Sequence, residues 1–160
     1  MKRYLLLIRH AESEISSMDG SDFNRNLTVK GFSDASLLGE ELQTKNFQTD
    51  YMAVSAALRT SQTAQKIAEK INFPSEKIYY DQALYSPSAD FLFHFLTKIA
   101  TNHQQVVIIN HNPAVSRVAS YLTGKYLNMS TATAICLSFD LETWAELTAD
   151  IAQIAWVLNS

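Results

Sequence analysis

Arg9 and His10 stand side by side directly after a short apolar run. Arg59 lies in Ser55-Ala-Ala-Leu-Arg-Thr-Ser-Gln-Thr63, and His111 follows a second apolar run in Asn110-His-Asn-Pro113. Two guanidinium groups aimed at one point bind an oxyanion, and arginine meets phosphate in a two-pronged geometry. His111 precedes a helix start, where free backbone N–H groups and the positive end of the dipole also favour an anion. A phosphoryl group suits all of these donors. Imidazole has two roles open to it there. As a cation it clamps phosphate; as a neutral ring it is a nucleophile that forms covalent intermediates. Its ordinary pKa of about 6.5 leaves much of it neutral at pH 7, and nearby arginines lower that value. A nucleophilic ring also needs its other nitrogen held by an acceptor such as a backbone carbonyl. His10, beside Arg9 on a rigid strand end, is the better nucleophile, and His111 the better charge stabiliser. The set contains no carboxylate pair and no glycine-rich loop.

Short apolar runs alternate with longer helical patterns along the chain. Residues 4–8 form a continuous apolar run, the pattern of a strand buried on both faces. A polar loop covers residues 13–25. Thr28 can cap a helix with Phe32, Ala35, Leu38 and Leu42 on one stripe. Residues 51–54 read as a second strand, and Ser55 as the cap of a helix carrying Ala64, Ile67, Ala68 and Ile71. Residues 78–80 read as a brief strand. Ser86-Pro87 is expected to open a third helix, with Phe91, Leu92, Phe95, Leu96 and Ile99 on its stripe. Residues 106–109 form another buried strand, and Asn112-Pro113 begins a fourth helix. Residues 133–139 and 151–158 close the pattern as strands, with a turn near 140–143. Such alternation predicts a single three-layer α/β/α domain over residues 1–160 with a largely parallel central sheet. Ligands of such sheets bind beyond the carboxyl ends of the strands, which is where Arg9, His10, Arg59 and His111 fall. Taken singly, each of these residues is ordinary; their shared placement carries the reading.

Composition narrows the remaining classes. Apolar residues make up 47% and net charge is −3, so the chain can build a core rather than remain disordered. One cysteine, Cys136, excludes a disulfide framework and a cysteine-based zinc site, and reads as a core residue. A sequence pI near 5.8 without a Lys/Arg run argues against nucleic acid as a partner. Residues 4–8 are too short for the apolar region of a signal peptide, and no run of 18 apolar residues exists. The expectation is a soluble cytoplasmic protein without a membrane partner. No clustered His and carboxylate spacing suggests a metal, so neither metal nor cofactor is expected. His94, His103, Arg3, Arg117 and the lysines read as structural or solvated.

With these residues in place, the sequence resembles the histidine phosphatase superfamily, whose fold is phosphoglycerate mutase-like. Arg9-His10-Ala11 resembles its Arg-His-Gly/Ala signature. The likeness is nearest to the small SixA-type phosphohistidine phosphatase branch. Ser21-Asp-Phe-Asn-Arg-Asn-Leu-Thr-Val-Lys-Gly31 is similar to that branch's Asp-Phe-Asp-Arg-Pro-Leu segment and its glycine. Ser55 to Ala64 resembles its second arginine motif, Leu84-Tyr85 its Leu-Tyr pair, and His111-Asn-Pro113 its Gly-His-Asn-Pro. Phe139-Asp140 followed by Trp144 is similar to its C-terminal hairpin.

The resemblance implies that His10 becomes phosphohistidine, that Arg9, Arg59 and His111 form the phosphate pocket, and that Arg25 approaches the substrate. Two positions depart from the family pattern. Asn110 stands where the family has glycine. The acid that many members carry after the third strand has no counterpart; Glu12 and Asp81 are the nearby candidates for a proton donor. An alkoxide leaving group needs a proton in the transition state, whereas imidazole, with a conjugate-acid pKa of about 6.5, leaves with little help. The expected substrate is therefore phosphohistidine on a protein, or a similarly activated phosphate. A small-molecule phosphomonoesterase acting on a phosphorylated metabolite is the alternative, and a phosphoryl-binding module with little turnover is a third reading.

Overall fold

The structure, a computed structural model, describes residues 1–159. Its strands are β1 (Lys2–Arg9), β2 (Tyr51–Ser55), β3 (Tyr79–Asp81), β4 (Gln105–Asn110), β5 (Thr133–Asp140) and β6 (Gln153–Asn159). Its helices are α1 (Val29–Thr44), α2 (Leu58–Ile71), α3 (Ala89–Thr97) and α4 (Ala114–Thr123). The strands form one sheet in the order β3-β2-β4-β1-β5-β6. The first four run parallel, while β5 and β6 are antiparallel additions at one side. None of the described helices is long and apolar enough to cross a membrane.

The continuous apolar character of β1 follows from its place in the sheet. Leu5 and Leu7 join the core beneath α3 and α4, while Leu6 and Ile8 join the core beneath α1 and α2. All four are fully buried, so both faces of this stretch of the strand are apolar. The same alternation in β4 places Val106 and Ile108 on one side and Val107 and Ile109 on the other. Cys136 is buried in the second of these cores, as its type suggests.

The order of the strands creates the crevice. The chain leaves β1 through α1 towards β2 and leaves β4 through α4 towards β5, so adjacent parallel strands send their connections in opposite directions. That is a topological switch point, where ligands bind in α/β sheets. In register, Arg9 faces Asn110, and the His10 N–H donates to the Asn110 carbonyl at 3.1 Å. His10 and His111 therefore leave neighbouring strands at the same height.

The chain after His10 is fixed by α1. Thr28 caps that helix, its hydroxyl accepting from the Gly31 N–H at 2.9 Å. Gly31 cannot carry a side chain, because a Cβ there would lie 2.0 Å from the Glu12 carbonyl oxygen. The helix thus rests directly on the backbone two residues beyond His10.

Several local expectations shift. Ser55 ends β2 instead of capping α2, whose cap position is Ala57. The third helix begins at Ala89 with Ser88 as its cap, because Ser86 turns the chain through the left-handed region at φ 48°. Between β5 and β6 the turn is followed by a 3-10 segment, Trp144–Glu146, with a Thr143–Glu146 capping box.

Arg3 departs most from expectation. Read as a solvated arginine, it is fully buried. Its guanidinium donates to the carbonyls of Leu141 (3.0 Å), Thr101 (2.9 Å), His103 (2.9 Å) and Glu142. It also lies 5.6 Å from the centre of the Trp144 ring, whose Nε1 donates to the His103 carbonyl at 2.7 Å. One side chain on β1 thereby fastens the approach to β4 to the turn after β5. The sequence hides this, because the acceptors are backbone carbonyls roughly a hundred residues away. Replacing Arg3 by Met leaves those carbonyls unpaired, and denaturant unfolding is expected to show a loss on the order of 3 kcal/mol. A loss below about 0.5 kcal/mol would mean that water satisfies them.

Candidate active site

Beyond the carboxyl ends of β1, β4 and β2, the fold gathers Arg9, His10, Arg25, Arg59 and His111. Arg59 is the second residue of α2 and His111 directly follows β4. The His10 and His111 rings meet edge-on, with centroids 5.3 Å apart. Both are nearly buried, at 7% and 3% exposure. Among the described residues, the buried side-chain nitrogens without a protein hydrogen-bond partner are Arg9 Nε, Arg25 Nε, Arg59 Nε and His111 Nδ1. Buried donors are almost always satisfied. Four unsatisfied ones in a single cluster, drawn from residues spread between positions 9 and 111, mark the place for an acceptor-rich anion.

Arg9 and Arg59 are anchored by their far ends, and Arg25 through Nε. Arg9 Nη1 donates to the Met129 carbonyl at 3.0 Å. Arg59 Nη1 donates to the Asp22 carbonyl at 2.9 Å and Nη2 to the Asp22 carboxylate at 3.0 Å. Arg25 pairs electrostatically with the same carboxylate, Nε to Oδ1 at 3.1 Å, without the alignment of a hydrogen bond. Asp22 was not among the residues singled out in the sequence, although it lies in the segment around Arg25. Its carboxylate also accepts from the Tyr85 hydroxyl at 2.6 Å. The Tyr85 ring stands edge-on to His111, centroids 5.7 Å apart, and to Phe23, 5.0 Å apart. The Tyr85 hydroxyl holds the Asp22 carboxyl below the usual carboxylate range; partial burial opposes this, and Arg59 and Arg25 reinforce it. Asp22 is thus an ionised brace between two arginines and a tyrosine.

The histidines are neutral. Burial pushes His10 down to about 4; the bond to Ala11 opposes that shift, and Arg59, Arg9 and Arg25 add to it. Burial likewise lowers His111 to about 3, with Arg59 and His10 adding. Sequence reasoning named the arginines as the cause, but desolvation is the larger one. His10 Nδ1 lies 2.7 Å from the Ala11 carbonyl. A carbonyl only accepts, so Nδ1 carries the proton and Nε2 keeps its lone pair.

The backbone before His111 corrects one expectation. Its N–H is not free for an anion, because Asn110 Oδ1 accepts from it at 2.8 Å. Asn110 Nδ2 in turn donates to the Leu84 carbonyl at 3.1 Å. The Asn110 side chain, fully buried, therefore ties His111 to the segment carrying Tyr85 and does not crowd the cluster. The Asn112–Pro113 bond just beyond is cis.

Glu12 and Asp81, the proposed acids, are committed elsewhere. The Glu12 carboxylate lies 3.3 Å from the Thr28 hydroxyl, at the start of α1. Asp81 accepts from the Ala83 N–H at 2.8 Å and the Tyr79 hydroxyl at 3.0 Å, at the end of the edge strand β3. Among the described residues no three His, Cys, Asp or Glu side chains group as a metal site. His94 is exposed and His103 is stacked on Tyr51, centroids 4.7 Å apart, so neither joins the cluster. A separate cleft of about 380 Å³ between α3 and α4, lined by Phe93, His94, Arg117 and Tyr121, contains none of its donors.

Comparison with known proteins identifies the family and the fold. The chain is 24% identical over 167 residues to an uncharacterized chloroplast protein of Arabidopsis thaliana, covering 99% of this chain and 77% of that protein. Its fold matches a protein of Agrobacterium tumefaciens assigned as the phosphohistidine phosphatase SixA, with TM-score 0.85, 20% identity, and 99% and 98% of the two chains covered. It also matches the protein histidine phosphatase SixA complexed with tungstate, with TM-score 0.82, 20% identity, and 97% and 96% covered. The family model for the histidine phosphatase superfamily, branch 1, matches residues 5–84. That half of the sequence carries Arg9, His10, Arg25 and Arg59, the fold returns His111 to them, and the chain belongs to the histidine phosphatase superfamily, branch 1.

Proposed function

We propose that this protein is a phosphatase that works through a covalent phosphohistidine on His10 and acts on phosphohistidine, or a similarly activated phosphate, presented by a protein. One observation carries the reading: unpartnered donors of Arg9, Arg59 and His111, with the Arg25 guanidinium among the charges acting on the same ring, cluster about a histidine whose Nε2 lone pair is unprotonated.

Two steps follow. His10 Nε2 attacks phosphorus in line as the bond to the leaving group breaks. Arg9, Arg25, Arg59 and His111 Nδ1 face the equatorial oxygens, where charge is spread in the transition state. Water then attacks the phosphoenzyme, the P–N bond breaks, phosphate leaves, and Nε2 recovers its lone pair. Nδ1–H stays on the Ala11 carbonyl throughout, which delocalises the positive charge the ring acquires while it carries phosphate. The guanidinium groups supply the electrostatic stabilisation that a metal ion supplies in other phosphoryl-transfer sites.

The substrate class rests on the leaving-group side. Glu12 and Asp81 are held at α1 and β3, and Asp22 is kept ionised, so no carboxylic acid of this cluster is protonated near neutral pH. An alkoxide leaves poorly without a proton, and an imidazole leaves without one. The arrangement therefore favours phosphohistidine over simple alkyl phosphates.

Incubation with a phosphohistidine peptide, followed by rapid denaturation, is expected to trap phosphate on His10, and His10→Ala to abolish both trapping and turnover. Equal turnover of a simple alkyl phosphate would instead favour the small-molecule phosphomonoesterase, and binding without a trapped intermediate would leave a phosphoryl-binding module. Arg59→Ala is expected to lower kcat by a factor corresponding to about 2–4 kcal/mol, the loss of one oxyanion donor; a change under twofold would remove Arg59 from the pocket.

The pH behaviour follows from burial. Both rings have folded-state values below the unfolded value of about 6.5, so they stay neutral as pH falls and protonate only near 4 for His10 and 3 for His111. Between pH 6.5 and 4 the unfolded chain binds protons that the folded chain refuses, so stability drops as the solution is acidified. Imidazole NMR of the two rings is expected to show no titration from pH 8 to 5, and the urea midpoint to fall from pH 7 to 4.5. An inflection near 6.5 in either ring would contradict the buried, neutral nucleophile.

A further inference from the structure

Ser55 was read from the sequence as a helix cap, and the structure gives it different partners. It ends β2, fully buried, with its hydroxyl 2.8 Å from His111 Nε2. The Ala57 N–H donates to the same hydroxyl oxygen at 3.3 Å. The backbone of Ser55 is separately engaged, its carbonyl accepting from the Thr60 hydroxyl at 2.7 Å.

The hydrogen-bond arithmetic then chooses between two tautomers of His111. If Nε2 carried the proton, the Ser55 oxygen would accept from both Ala57 and His111. Its own O–H would be left without an acceptor in a fully buried place, and Nδ1 would turn a lone pair towards the anion. If Nδ1 carries the proton, Ala57 donates to Ser55, Ser55 donates to Nε2, and Nδ1–H faces the cluster of arginine donors. Every polar atom but Nδ1 is then satisfied, and Nδ1 is the nitrogen of this ring found unpartnered. The first arrangement leaves two buried polar groups unsatisfied and the second leaves one, so the second is the dominant tautomer.

We infer that Ser55 is a positioning residue that fixes His111 as the Nδ1–H tautomer, so that an uncharged imidazole donates a hydrogen bond to the phosphoryl group. This deepens the phosphatase reading and rests on it. His10 and His111 then share one tautomer and present opposite ends. His10 commits its Nδ1–H to the Ala11 carbonyl and shows a lone pair; His111 commits its Nε2 lone pair to Ser55 and shows an N–H. The difference between attacking group and stabilising group lies in what holds the far nitrogen.

The test is long-range proton–nitrogen NMR of the free protein with ¹⁵N-labelled histidine at pH 7.5, with His111 assigned from the spectrum of His111→Ala. The expected result is a protonated Nδ1 and a bare Nε2. A protonated Nε2 overturns the inference, whatever the enzyme turns over. In Ser55→Ala the same spectrum is expected to show an Nε2–H population, and kcat to fall about tenfold or more with little change in KM, a part of the effect of losing an oxyanion donor. An unchanged His111 tautomer in that variant also overturns it. Should Ser55→Ala fail to fold, the wild-type spectrum decides alone. Absence of phosphatase activity in the wild-type protein would strike the functional reading and leave the tautomer standing, so the two failures are distinguishable.

Discussion

The exclusion of water from two imidazoles, in the company of three guanidinium groups, is the constraint from which the chemistry of this protein follows. An imidazole in water shares its time between neutral and charged forms near pH 7. Here desolvation and the arginines act in the same direction on both rings, and only the neutral form survives. A protonated His10 would be another phosphate clamp with no lone pair to attack. In the proposed reaction, burial therefore decides which of the two roles open to histidine is taken, and the arginines, which cannot lose their protons, are left as the cationic part of the site.

Burial of this kind demands a rigid frame, and the sheet provides it. His10 and His111 leave the central adjacent strands, joined by a backbone bond from His10 to Asn110. The Asn110 side chain then links His111 to the segment that bears Tyr85, and Tyr85 links through Asp22 to Arg59 and Arg25. These contacts are polar, directional and partly buried, so they set angles as well as distances. Glycine at position 110 would supply neither bond. The Asn110 side chain in this chain is a structural link, and its Oδ1 takes the His111 N–H.

What the sequence reveals is what is local. A fully apolar strand followed at once by Arg9-His10, and another by His111, can be read directly, because strand burial and the position of ligands at carboxyl edges are general properties of α/β sheets. Arg59 is legible for the same reason, lying in the first turn of the helix after β2. Arg25 sits in a polar loop with no periodicity to place it, and only the family resemblance suggested it. The roles of Asp22, Tyr85, Ser55 and Asn110 stay hidden, because each has a partner that lies 37, 63, 56 or 26 residues away respectively. Nothing in their own surroundings distinguishes a brace from a solvated side chain or a cap. Arg3 was misread for the mirror-image reason: charged residues near a terminus are usually in water, and its acceptors are backbone carbonyls, which leave no trace in side-chain spacing.

Charge balance explains why a carboxylate belongs in an anion site at all. With both rings neutral, Arg9, Arg25 and Arg59 contribute three positive charges, and Asp22 removes one. The remaining two match the charge of about −1.5 to −2 on a phosphoryl group near pH 7. Without Asp22, three guanidinium groups would converge with no internal counter-charge. Their mutual repulsion in partly buried surroundings would push the side chains apart before any substrate arrived. Asp22 engages Arg59 through the Nη atoms and leaves Nε free. It therefore neutralises part of the charge while leaving the Nε donor of Arg59 unoccupied. The same ionised carboxylate cannot give a proton to a departing oxygen. In the proposed reaction, the feature that holds the pocket together is thus also the feature that favours leaving groups needing no acid.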